Sequence, residues 1–140
     1  MTQVTDQIAG VREVALAVRD ADAAVDTFET LFGLDFDMEW SIEEDHIHVR
    51  ATEIAGTQVH CLEPTADAGP VYSFLEDRGE GIHHFCLEVR DLDALSDHLR
   101  DHGARLTMDE PATNKGHKYN FLHPASGHGV LIELIELGGA

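Results

Sequence analysis

The sequence predicts an α+β fold: two tandem βαβββ modules whose strands form a curved mixed sheet around a cleft. Three observations carry this prediction. First, the chain repeats itself: VREVALAVRDADA at 11–23 and IHHFCLEVRDLDA at 82–94 align without a gap at a shift of 71 residues and share V-R-D-x-D-A. Second, each copy is an apolar strand followed by an aspartate and then a helical pattern. Third, three strand-like runs follow each helix. The last runs also match, TQVHCLE at 57–63 against VLIELIE at 130–136, at a shift of 73.

The elements follow in order. Residues 1–10 are expected to be an N-terminal tail. The first module spans 11–63. In it Asp20 is the expected N-cap, Ala24, Val25, Phe28, Leu31 and Phe32 follow at helical spacing, and Gly33 ends the helix. Strand-like runs come at 34–40, 46–53 and 57–63. A linker at 64–81 holds Pro64, Gly69, Pro70, Gly79 and Gly81, with Tyr72, Phe74 and Leu75 forming a short helix. The second module spans 82–137, with Asp91 as cap, Leu92, Leu95 and Leu99 as apolar stripe, and Gly103 as stop. Its strands are expected at 104–109, 117–123 and 129–136. Two copies of one module would pack about a pseudo-twofold axis and leave the cleft between them.

Composition narrows the function. The chain has 140 residues, enough for one compact domain or two small modules with a shared core. Nine basic residues face 27 acidic ones, for a net charge of −18 with neutral histidines. Such a surface repels nucleic acid and anionic membranes and suits a high-salt solvent, where screening relieves self-repulsion. No apolar run is long enough to span a bilayer. The start, MTQVTDQIAG, lacks a basic patch followed by an apolar core, so a cytoplasmic location is expected. Cys61 and Cys86 sit inside apolar runs without C-x-x-C spacing and read as buried free thiols.

Ionisable residues in apolar strands need a reason, because burying a lone charge is costly. Glu13 lies within the first strand, and His84 stands at the matching place in the second copy. His60 lies in the fourth strand, and its match is Glu133. Each module thus supplies one Glu and one His at equivalent positions in exchanged order. Alternation allows Val14, Leu16 and Val18 to pack on one helix while Glu13 faces away. It allows Phe85, Leu87 and Val89 to do the same opposite His84. The pseudo-twofold would bring Glu13, His60, His84 and Glu133 to one point. Two imidazoles and two carboxylates suit one divalent ion per chain, whether Co, Zn, Ni, Mn or Fe. Such an ion polarises a chelated carbonyl and stabilises an enolate.

GEGIHHFCLEV at 79–89 and FLHPASGHGVLIELIEL at 121–137 resemble the methylmalonyl-CoA epimerase branch of the vicinal oxygen chelate superfamily, which also holds glyoxalase I and extradiol dioxygenases. AVRDADAAVDTFETLFGLDF, the LEP at 62–64, FLEDRGEG at 74–81 and the DEP at 109–111 extend the likeness from about Val11 to Leu137. The resemblance implies paired βαβββ modules and metal ligands at Glu13, His60, His84 and Glu133. His84 and Glu133 match the family's residue types. Epimerases resembling this chain carry His where Glu13 stands and Gln or Glu where His60 stands, so type has been exchanged between these two positions. The total, two His and two Glu, is the glyoxalase-like complement. The implied activity is a metal-dependent isomerase that epimerises an acyl-CoA through an enolate. The alternatives are a glyoxalase I-type lyase, an extradiol-type dioxygenase or a metal-free ligand-sequestering module. A homodimer is implied as well.

Glu133, Glu13 and His48 are the expected acid/base groups, with His46 and His48 read on one strand face. Lys115 and Lys118, the only lysines, flank Gly116 in a loop read as a lip for anionic substrate, and Arg50 is a further candidate for substrate binding. His98 and His102 have the i, i+4 spacing of a metal pair, but read as surface residues for want of a third ligand. His123 and His128 flank the P-A-S-G turn and read as structural. Cys86 shares a parity with His84.

Overall fold

The computed structural model describes residues 6–138. Positions 1–5 of the expected tail lie outside the described residues. The elements run β1 (Ile8–Ala17), α1 (Ala21–Phe32), β2 (Met38–Ile42), β3 (Ile47–Ile54), β4 (Thr57–Pro64), α2 (Pro70–Arg78), β5 (Gly81–Val89), α3 (Leu92–Asp101), β6 (Ala112–Asn114), β7 (His117–Leu122) and β8 (Leu131–Glu136). The repeated βαβββ pattern is therefore present twice, with α2 between the copies. The chain divides into two compact units. One is Glu13–His83; the other joins the residues up to Arg12 to those from His84 onward.

In the Glu13–His83 unit the strand order is β2-β3-β4-β1. β1 pairs with β4 in parallel, and β3 pairs antiparallel with β2 and β4. One sheet face carries α1, over a cluster of Val18, Ala21, Val25, Phe36 and Cys61 with Leu16, Ala24 and Phe28 beside it. The opposite face carries Ala15, Ala17, Ile47, Val49, Ala51 and Leu62 against Val71 and Leu75 of α2. Leu31 and Phe32, expected in the α1 stripe, are 66% and 68% exposed. They sit in the last turn, beyond the edge of the sheet-facing stripe, and Phe32 stacks on Phe28 at 6.3 Å between ring centroids.

In the other unit the order is β5-β8-β7-β6, with β5 and β8 parallel and β7 antiparallel to β6 and β8. α3 packs Leu92 and Leu95 on Val89 and Leu134. The strand expected at 104–109 is not there: only Leu106 makes a bridge, to Leu122, and the paired strand is Ala112–Asn114. Gln7, expected in the tail, is 1% exposed. Its backbone carbonyl accepts from the Arg90 amide and its side-chain oxygen from the Asp91 amide, each at 2.9 Å.

Both long helices start by the same device. The Asp20 carboxylate accepts from the Ala23 amide and the Asp91 carboxylate from the Ala94 amide, each at 3.1 Å. The sequence reading missed a second pair. Glu63 at the end of β4 accepts from the Ala21 amide at 2.7 Å, and Glu136 at the end of β8 from the Leu92 amide at 2.8 Å. These carboxylates satisfy amides that the helix cannot pair and sit at its positive end. Glu63 and Glu136 match at the repeat shift of 73, so the signal was present in the aligned runs.

Candidate metal centre

Strand register fixes which side chains share a face. In the first unit β1 and β4 pair Glu13 with Gln58, Ala15 with His60 and Ala17 with Leu62. In the second, β5 and β8 pair His84 with Leu131, Cys86 with Glu133 and Glu88 with Ile135. The second ladder is the first displaced by 71 residues on one strand and 73 on the other. In each unit the ionisable pair therefore falls on the sheet face turned away from the long helix.

Within each unit the pair meets. His60 Nδ1 lies 3.4 Å from Glu13 Oε2, and His84 Nε2 lies 3.5 Å from Glu133 Oε1. The histidines are buried, and both carboxylate side chains are 16% exposed. An aromatic edge braces each ring: Trp40 against His60 at 5.0 Å and Phe121 against His84 at 6.1 Å.

Gln58 is a site residue that the sequence reading missed. Its Oε1 lies 2.8 Å from His60 Nε2. An amide oxygen only accepts, so Nε2 donates to it, and Nδ1 is the ring nitrogen turned toward Glu13. A metal-binding histidine is typically oriented in this way, by an acceptor for its other ring N–H. The donor spacing fits too. Two ligand atoms each about 2.1 Å from one ion lie about 3.0–3.4 Å apart across octahedral to tetrahedral angles. The residues present therefore fit a divalent ion. Cys86 joins the His84 face but is only 1% exposed. Cys61 lies on the α1 face, where burial pushes its thiol up to about 11, against a smaller opposing effect of Arg50.

The other expected site residues lie elsewhere. β3 pairs Ala51, not His48 or Arg50, with His60. His48 and Arg50 are thus on the α1 side of the sheet. His48 Nε2 lies 2.8 Å from Glu39 Oε2, and its Nδ1 lies 3.2 Å from Ser41 Oγ. His46 does not share its face, because it ends a 3-10 turn at φ 56 and precedes the strand. Arg50 Nη1 is held by Asp22 Oδ1 at 2.6 Å. Lys118 pairs in register with Glu136, on the α3 side, where its ammonium meets Asp93 Oδ2 at 2.9 Å. That hydrogen bond is the main reason its pKa is raised. His48, Arg50 and Lys118 are thus each turned to the helix side of their sheet. Lys115 sits at φ 53 in a tight hairpin turn with Gly116.

Two βαβββ repeats, each presenting a carboxylate–imidazole pair opposite its long helix, define a class of paired-module proteins suited to a divalent ion. Residues 12–121 match the model of the Glyoxalase/Bleomycin resistance protein/Dioxygenase superfamily, and the chain belongs to that superfamily. Within it the likeness runs to the epimerase branch. The ethylmalonyl-CoA/methylmalonyl-CoA epimerase of Cereibacter sphaeroides is 33% identical over 130 residues, covering 91% of this chain and 97% of that one. The crystal structure of methylmalonyl-CoA epimerase from Mycobacterium tuberculosis superposes with a TM-score of 0.86 at 30% identity, over 99% of this chain and 94% of that one. A Streptomyces coelicolor methylmalonyl-CoA epimerase variant in complex with 2-nitronate-propionyl-CoA gives 0.84 at 29% identity, over 94% and 99%.

Proposed function

We propose that this protein is a metal-dependent epimerase that inverts the carbon α to the thioester of a 2-carboxyacyl-CoA such as methylmalonyl-CoA. The observation that carries the reading is the repeat-related Glu–His pair in each unit, at 3.4 and 3.5 Å, in a chain similar to epimerases across nearly its whole length. Glu13, His60, His84 and Glu133 are proposed to hold one divalent ion per chain. When bound, that ion would supply Lewis-acid polarisation of the substrate's oxygens.

The chain's own residues then supply the rest. Epimerisation needs a proton removed from one face of a planar intermediate and returned to the other. Register leaves few groups for this. On the His60 face of the first unit, β1 to β4 offer Glu13, His60 and the exposed Glu53 as acid/base side chains, since Glu39, His48, Arg50 and Glu63 share the other face. On the His84 face, Glu133 stands between the hydrophobic Leu131 and Ile135. Glu13 and Glu133 are accordingly the proposed proton-transfer groups. Trp40 and Phe121 hold the two imidazoles and help keep water from them. Lys115 is the one remaining candidate, among the lysines and Arg50, for the anionic end of an acyl-CoA. A homodimer is part of this reading, to be checked by sedimentation. No helix among the described residues is long and apolar enough to cross a membrane.

Methylmalonyl-CoA incubated in D₂O with the metal-loaded protein should exchange its C2 proton. Absence of exchange, with one ion bound per chain, would overturn the substrate and leave the metal centre standing.

A further inference from the structure

We infer that the C-terminal end of α3 carries a second, peripheral site for a late transition-metal ion, built from His98 and His102. The two imidazoles lie one helical turn apart, with ring centroids at 4.2 Å and planes tilted by 37°. Spacing alone would leave them as surface residues. Two further observations point to a ligand role. His102 Nδ1 lies 2.9 Å from the His98 carbonyl oxygen. A carbonyl only accepts, so Nδ1 carries the proton and Nε2 keeps its lone pair. This fixes the tautomer in the manner of a metal-binding histidine. The same carbonyl also accepts the His102 backbone amide at 3.2 Å, so ring and backbone are anchored to one atom.

The surroundings favour a cation. The site lies at the negative end of the α3 dipole, next to Asp101 and Asp97, in a chain of net charge −18. The nearest cation on the helix, Arg100, is turned away to the carbonyls of Met108 and Asp109, at 3.2 and 2.8 Å. The helix end is firm. Gly103 takes φ +81, and the Ala104 amide returns to the Leu99 carbonyl at 2.9 Å. His102 is exposed and His98 half-buried, so an ion reaches both and fills its other positions with water. Two imidazoles without a carboxylate or thiolate select Ni²⁺, Cu²⁺ or Zn²⁺ over Mg²⁺ or Ca²⁺. The site is separate from the Glu–His pairs and does not rest on the proposed reaction.

The test is equilibrium dialysis of the full chain against Ni²⁺, comparing the natural protein with His98→Asn/His102→Asn. The double variant should bind one ion fewer per chain and elute earlier from a Ni²⁺-charged chelating column, with deuterium exchange of methylmalonyl-CoA unchanged. Each single variant should lose about tenfold or more in affinity for that ion. Should the double variant misfold, Ni²⁺ titration of the natural protein followed by NMR decides the matter. The His98 and His102 ring signals should broaden ahead of the other histidines outside the Glu–His pairs. Equal Ni²⁺ content in both proteins, or broadening that spares these two rings, would overturn the site.

Discussion

In the first module β1 runs beside β4 with Glu13 opposite Gln58; in the second, β5 runs beside β8 with His84 opposite Leu131. The ladders match residue for residue, as do the aspartate caps and the carboxylates of Glu63 and Glu136. Away from these ladders the modules diverge. β2 and β3 share five pairs and are joined through a 3-10 turn, whereas β6 and β7 share three and turn on Lys115-Gly116. The difference teaches which parts position the site. The inner parallel ladder and the helix start are held constant, while donor type is exchanged and the outer hairpin varies. Donor type differs between the modules while the register of the ladder does not.

Four changes would break or sharpen this comparison, in falling order of effect. Glu13→Gln and Glu133→Gln should each slow C2 deuterium exchange by about 10²–10⁴-fold, the span of general acid–base catalysis; loss in only one of them would mean that the modules share a fold but not a task. Next come the core positions that the repeat equates, Leu134 and Cys61. Leu134→Ala should cost about 2–5 kcal/mol in urea unfolding, the range for a buried leucine. Cys61→Ala, with one heavy atom removed, should cost about 1 kcal/mol, since a buried methylene is worth about 0.8 kcal/mol. The third change gives Gln58 the residue of the other module. Gln58→Leu should weaken metal binding about 10- to 100-fold, as loss of a ligand-orienting partner does, and competition with a chelator measures it. Smallest are the caps. Asp20→Ala and Asp91→Ala should each destabilise the protein by about 1 kcal/mol in the same unfolding assay, and by nearly equal amounts.

Much of this was legible in the sequence because repetition turned single residues into pairs. Glu13 alone is a charge in a strand; matched to His84, and His60 to Glu133, it becomes half of a donor set. The helix caps were legible for a local reason, an aspartate before an apolar helical stripe. What escaped depended on register. Whether His48 faces His60 is decided by the pairing of Ala51 with His60 and by where β3 begins. His46, left-handed and ahead of the strand, breaks the alternation that would have put the two histidines together. Arg50 and Lys118 were read from charge alone, yet Asp22 and Asp93 on the helices claim them. The short β6 was displaced because the run at 104–109 carries strand-like residues without a ladder beyond Leu106. Gln58 and Gln7 are uncharged and gave no compositional signal. Their roles lie in one acceptor atom each.

The central claim is that the two Glu–His pairs serve a single ion. Metal content per chain, measured after desalting in the His98→Asn/His102→Asn background, tests it most directly. One ion is expected, falling to near zero in Glu13→Ala and equally in Glu133→Ala. Two ions per chain, or a full ion surviving either substitution, would contradict the account.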